Sequence, residues 1–220
     1  MLNHTKKIKE IYEDIQRKIF YIIPEKWDKM SLYSSIIETE EGLKGELFFY
    51  YTPKGIFRKN PVNVYEIPAK FNLEENQYLK LVENLYSKIK ELYSELKKSE
   101  TGKMWSNLTM TIKNLQFKVE YSYEDLEKEE FNSYERHVIW RYINLGIGPE
   151  QVNKEEKEIL KRYINGAKTL PRKEKYESGI YIRDIKNIVD FDTKNYEETR
   201  KIEPEKKKKN QILLSEDEIN

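Results

Sequence analysis

With 220 residues, 38% of them hydrophobic, the chain can bury one sizeable core, so one main domain with an appendage is the expected organisation. Lys plus Arg number 40 against 39 for Asp plus Glu, a net charge of +1 that argues against a general nucleic-acid binder, whose phosphate contacts need a basic excess. Cysteine is absent, which removes disulfides, thiolate nucleophiles and zinc-thiolate sites, permits a reducing compartment and makes the cytoplasm the expected location.

Met1 to Glu10 is polar and leads into an amphipathic segment, so neither a signal peptide nor a membrane span is expected. Ile8, Ile11, Tyr12, Ile15, Ile19 and Ile22 recur at helical spacing, from a Thr5 cap to the Ile23-Pro24 stop. Lys29 to Thr39 alternates as a strand, Glu40-Glu41-Gly42 supplies a turn, and Gly45 to Tyr51 completes a hairpin. Val62 to Ile67, flanked by Pro61 and Pro68, reads as a third strand at an edge.

Asn72 with Glu75 makes a capping box for a long helix whose apolar stripe is Tyr78, Val82, Leu85, Ile89, Leu92 and Leu96. Trp105 to Ile112 and Leu115 to Tyr123, joined through Lys113-Asn114, form a second hairpin, for a total of about five strands. Capping boxes at Asn132 with Glu135 and at Asn153 with Glu156 open two further helices, ending near Gly146 and near Asn165-Gly166. The fold class is therefore α+β: an antiparallel sheet from two hairpins plus an edge strand, packed with an N-terminal helix, a long central helix and C-terminal helices. The domain runs over residues 1–166. Residues 167–220 are a charged C-terminal extension, with a candidate strand at Gly179 to Ile185 and a basic block at Lys206 to Lys209.

The residues for catalysis are scarce. His4 and His137 are the only histidines, too few for a histidine metal site or a Ser-His-Asp relay, and His137 inside a helix reads as structural or surface. No phosphate-cradling glycine loop and no nucleophile elbow occurs. No enzyme activity, catalytic residue, metal or cofactor is expected. Facing carboxylates could serve glycoside hydrolysis, but sequence spacing does not report their separation.

The most informative stretch is the alternating Phe117, Val119, Tyr121 and Tyr123 running directly into Glu124-Asp125-Leu126-Glu127-Lys128-Glu129-Glu130. A half-buried strand places these carboxylates beside a rigid sheet edge, where they form an acidic rim that steers basic partners. A solvated loop or a helical first turn is the competing reading. Tyr121 and Tyr123 read mainly as core or sheet-face residues, although tyrosine also enriches interfaces.

Several segments in order carry a family resemblance: Ile23-Pro24-Glu25-Lys26-Trp27, Gly45-Glu46-Leu47-Phe48-Phe49-Tyr50, Ile67-Pro68, Trp105, Tyr121-Ser122-Tyr123-Glu124-Asp125, and Trp140-Arg141-Tyr142-Ile143-Asn144-Leu145-Gly146. Over roughly residues 5 to 165 the chain resembles the YezG-like immunity proteins, a family that includes the EsaG antitoxin. The tail from Lys168 onward departs from that pattern.

The resemblance implies a bacterial, non-enzymatic antitoxin that binds the nuclease domain of a cognate secreted polymorphic toxin, typically one exported by a type VII system. On that reading Glu124, Asp125, Glu127, Glu129 and Glu130 provide steering and contact, with Tyr134 as an aromatic anchor. Glu40, Glu41 and Glu46 form a second candidate face. The rival functions are a nucleic-acid-binding regulator using the Lys-rich tail, and a carboxylate glycosidase.

Overall fold

The structure, a computed structural model, describes residues 2–55, 60–98, 104–114 and 116–167. Gly179 to Ile185 and Lys206 to Lys209 lie outside the described residues. The element order is α1 (Leu2–Ile22), β1 (Trp27–Ser35), β2 (Ile37–Thr39), β3 (Gly42–Lys44), β4 (Leu47–Pro53), β5 (Val62–Asn63), a 3-10 turn at Val64–Glu66, α2 (Ile67–Phe71), α3 (Glu75–Lys97), β6 (Asn107–Lys113), β7 (Gln116–Ser122), α4 (Ser133–Leu145) and α5 (Lys154–Ala167). Five strands form one antiparallel sheet in the order β5-β4-β1-β6-β7, and β2 pairs with β3 alone. The α+β architecture expected from the sequence is the one observed.

Strand alternation distributes the core over both faces of the sheet. Met30, Leu32, Phe49, Tyr51, Met110, Ile112, Phe117 and Val119 point to one face, where they pack with the stripes of α1 and α3. Tyr33 and Tyr50 point to the other, against Trp140 of α4. The outer layer is completed by Val138 and Ile139 of α4 packed on Ile159 and Leu160 of α5. Strand β1 is central, so its last six residues are all buried.

Four local expectations are corrected. Helix α1 begins at Leu2, not after a Thr5 cap. The single strand expected over Lys29 to Thr39 breaks at Ile36: its first part pairs with β4 and β6, and its last part folds into a separate β2-β3 hairpin. At the return from this hairpin Gly45 has φ +152°, and a Cβ there would collide with the Ser35 carbonyl.

The expected strand over Val62 to Ile67 shrinks to Val62–Asn63. The Asn63 side chain accepts the Tyr65 amide and Pro68 sits in the first turn of α2, so the chain winds here instead of extending. Asn72 does not cap α3. It closes α2 in the left-handed region (φ 51°, ψ 49°), which asparagine tolerates, and Glu74 caps α3 by accepting the amides of Asn76 and Gln77.

The second capping box is complete, with Asn132 and Glu135 bonding reciprocally and Gly146 closing α4 at φ +71°. In the third, Asn153 accepts the Glu156 amide at 2.9 Å. The Glu156 carboxylate is engaged by Arg141 of α4, so it ties the two helices together.

Candidate partner-binding surface

Strand register decides which distant segments share an end of the sheet. Ser34 is opposite Leu47, Ser35 opposite Asn107, and Asn107 opposite Ser122. Glu46 precedes β4, the β2-β3 hairpin follows β1, and the acidic loop follows β7, so all three leave the sheet at this one end. Helix α4 starts there as well, because Ser133 donates to the Glu46 carboxylate and Arg136 pairs with it at 3.6 Å. The nine carboxylate and tyrosine positions singled out from the sequence are therefore gathered at one end.

Within the acidic loop the chain is pinned, not loose. Leu126 is only 8% exposed while its acidic neighbours Asp125 and Glu127 face solvent. Asp125 accepts from the Glu127 amide at 3.3 Å, and its carbonyl accepts from Lys128 at 3.0 Å, closing a tight turn. The Lys128 ammonium, 2.8 Å from Asp125, holds that carboxyl below its ordinary range. Glu124, Glu127 and Glu130 are exposed and Glu129 is half-buried.

Glu124 lies close enough to α5 and β1 to act on two tyrosines, the buried Tyr33 and the half-buried Tyr163. Burial pushes the Tyr33 hydroxyl up to about 12; Arg136 opposes the shift, and Glu46 and Glu124 add to it. Tyr163 is raised by burial first, then by Tyr142 and Glu124. Glu46 and Glu124 thus share one electrostatic neighbourhood, with Arg136 between the sheet and α4.

Tyr134, in the first turn of α4, is 43% exposed and its hydroxyl reaches Glu156 at 3.5 Å. Glu40 and Glu41 form the tip of the β2-β3 hairpin, with Glu41 bonded to Lys44. That hairpin is docked on α3, where Glu38 accepts from Lys97 at 2.6 Å and Tyr93 at 2.9 Å. Asp125, Glu41 and Glu46 are each engaged by a neighbouring cation, whereas Glu40, Glu127 and Glu130 form no ion pair among the described residues.

Beneath this surface His137 is structural, as its place in a helix implies. Its ring stacks on Phe48 with centroids 4.0 Å apart, and Nε2 shares a hydrogen bond of 2.9 Å with the Tyr50 hydroxyl. Burial, helped by Arg141 and opposed by Glu156, brings its pKa down to about 4. Trp140 donates to Thr109 at 3.1 Å, so α4 is keyed to both β4 and β6. Tyr121 and Tyr123 pack partly against the main core, as sheet-face residues should.

The opposite end of the sheet escaped sequence reasoning. There Lys29 and Lys113 face each other across β1 and β6, and Lys29 donates to the Asn144 carbonyl at 2.7 Å. No signal in the sequence could have joined them, since 84 positions separate the two lysines and only the register makes them neighbours. Among the described residues no group of three or more His, Cys, Asp or Glu could hold a metal ion, and no helix is long and apolar enough to cross a membrane.

Comparison with known proteins places this architecture. The family described as "Immunity protein YezG-like" matches residues 8–160. The immunity protein YezG of Bacillus spizizenii is 31% identical over 148 residues, spanning 67% of this chain and 88% of that protein. Its Bacillus subtilis counterpart is 30% identical over 147 residues, spanning 65% of this chain and 91% of that one. The type VII secretion system protein EsaG of Staphylococcus aureus is 29% identical over 151 residues, spanning 68% and 88%. The matched span runs from the first apolar positions of α1 to Leu160 in α5 and so covers every strand and helix that builds the sheet end described above, and the chain belongs to the YezG-like family of immunity proteins.

Proposed function

We propose that the protein is an antitoxin that binds and neutralises the nuclease domain of a cognate secreted toxin, in the cytoplasm of the cell that makes that toxin, and that it transforms nothing itself. The observation that carries this reading is the gathering of the acidic loop, Glu46 and Tyr134 at one end of the sheet, in a member of an immunity-protein family. A nuclease must present cations to the phosphate backbone of its substrate. A pinned acidic surface is a fitting cover for such a groove, because fixed carboxylates lose little freedom on docking. A relative named as a type VII secretion system protein supports the choice of a secreted toxin as target.

On this proposal Glu124, Glu127 and Glu130 steer the encounter, and Asp125 and Glu129 add contact nearer the sheet. Tyr134 is the aromatic anchor, flanked by Glu46, with Glu40 and Glu41 meeting the toxin at its rim. Close charge pairs at such an interface couple by about 1.5–7 kcal/mol, whereas rim charges mainly change the association rate. Residues 1–166 are taken as the inhibitory domain and 167–220 as an extension to it.

The test is binding of the purified toxin nuclease domain by the wild-type chain and by the triple variant Glu124→Lys, Glu127→Lys, Glu130→Lys. Wild type should suppress DNA cleavage stoichiometrically. The variant should associate at least about tenfold more slowly at low salt, with a flatter salt dependence. Unchanged affinity and salt dependence in the variant would show that the docking surface lies elsewhere. Failure of wild type to suppress cleavage would overturn the nuclease reading itself.

A further inference from the structure

A cleft of ≈ 650 Å³ opens at the end of the sheet away from the acidic loop. Lys29 and Lys113 line it from β1 and β6, Arg141 lines it from α4, and Asp28 is the one acidic residue in its wall among the described residues. The two lysines are directly opposite in the strand ladder, a placement in which like charges repel. Neither forms an ion pair among the described residues.

Lys29 has a structural reason for its position: its Nζ meets the Asn144 carbonyl in the last turn of α4, where the helix dipole favours a cation. Among the described residues Lys113 has no equivalent partner, yet the register sets it opposite Lys29. Burial, and then the charge of Lys113, lower the Lys29 pKa, so the pair stands under an electrostatic load that an anion would relieve.

The volume falls in the usual range for small-molecule sites, about 300–1,000 Å³. Arg141 uses Nη2 for Glu156, and with five donors in its guanidinium it retains others for a second anion. Because Glu156 already balances Arg141 and Asp28 is a lining carboxylate, the unbalanced positive charge of the cleft comes from Lys29 and Lys113, and lysine point charges beside an arginine fork with spare donors are the groups that hold phosphate.

We propose that this cleft binds a phosphate dianion, free or as a phosphomonoester, between Lys29, Lys113 and Arg141. The site uses no residue of the acidic end, so it stands or falls independently of the toxin reading.

The experiment is an amide NMR titration of the full chain with inorganic phosphate, with AMP and with adenosine, at an ionic strength held constant with chloride. Saturable shifts are expected around residues 28–29, 113 and 141–147 with phosphate and AMP, and none there with adenosine. Tighter binding of AMP would assign a nucleotide source, and equal binding the free anion. Lys113→Ala, at an exposed position next to a turn, should weaken binding about tenfold or more, and Lys128→Ala in the acidic loop should leave it unchanged. Shifts that do not saturate by about 10 mM, shifts mapping elsewhere, or a Lys113→Ala variant binding like wild type would each overturn the proposal.

Discussion

The ring of Phe48 lies nearly parallel to that of His137, at 17° and with centroids 4.0 Å apart, so the first strand turn of β4 and the second turn of α4 meet face to face. This contact sits directly under the acidic end of the sheet. Burial favours the neutral form of this imidazole, which makes the packing of α4 on the sheet a pH-dependent contribution to stability.

His137 has a pKa of about 4 in the folded chain against an ordinary value of 6.5. Between these two values the unfolded chain binds a proton that the folded chain refuses, so stability is complete above about pH 6.5, falls as pH drops toward 4, and levels below it. Allowing for solvent screening of a partly exposed ring, the loss is about 1–2 kcal/mol. Urea denaturation at pH 7, 5.5 and 4 should show it, and His137→Gln should flatten that part of the profile.

Gly45→Ala should destabilise the fold by roughly 2–4 kcal/mol, because φ +152° is hostile to a side chain and the new methyl meets the Ser35 carbonyl. The denaturant midpoint should fall with little change in slope. A variant within about 0.5 kcal/mol of wild type would contradict the close approach of the two segments.

The cap of α3 can be located by paired substitutions. Glu74→Ala removes the acceptor of two amides and should cost about 1 kcal/mol, whereas Glu75→Ala, one residue inside the helix, should cost less than about half of that. Equal costs would return the cap to the pattern expected from Asn72 and Glu75.

Leu126→Ala tests whether the acidic loop is held by its one buried side chain. Truncation should cost about 2 kcal/mol and release the amides of 125–128 to faster hydrogen exchange, without altering the net charge of the surface. If exchange there is unchanged, the turn at Asp125 alone fixes the loop.

Local patterns revealed much of this architecture, each for a definable reason. The stripe from Tyr78 to Leu92 is legible because a 3.6-residue period survives any tertiary context, and all five of its positions in that span are buried. The Asn132 and Asn153 caps are legible because an amide acceptor three residues before a helical amide is a short-range geometry. Val62 to Ile67 misleads because four apolar or aromatic residues in six fit a strand and a tight helical turn equally, and Asn63 with Pro68 tips the balance through contacts with backbone. The Asn72 box fails because asparagine serves equally well in the left-handed closing position of the preceding helix.

For the candidate surface, the chain's own order of residues was enough to mark an acidic run after a sheet strand, and family membership follows from the same linear information. That Glu46 and Ser133 meet, that Leu126 anchors the loop, and that Lys29 confronts Lys113 at the far end were settled only by folding. Side-chain periodicity is a property of neighbours along the chain, whereas the end of a sheet at which a residue emerges depends on the register of strands tens of positions apart, and no local pattern encodes that register.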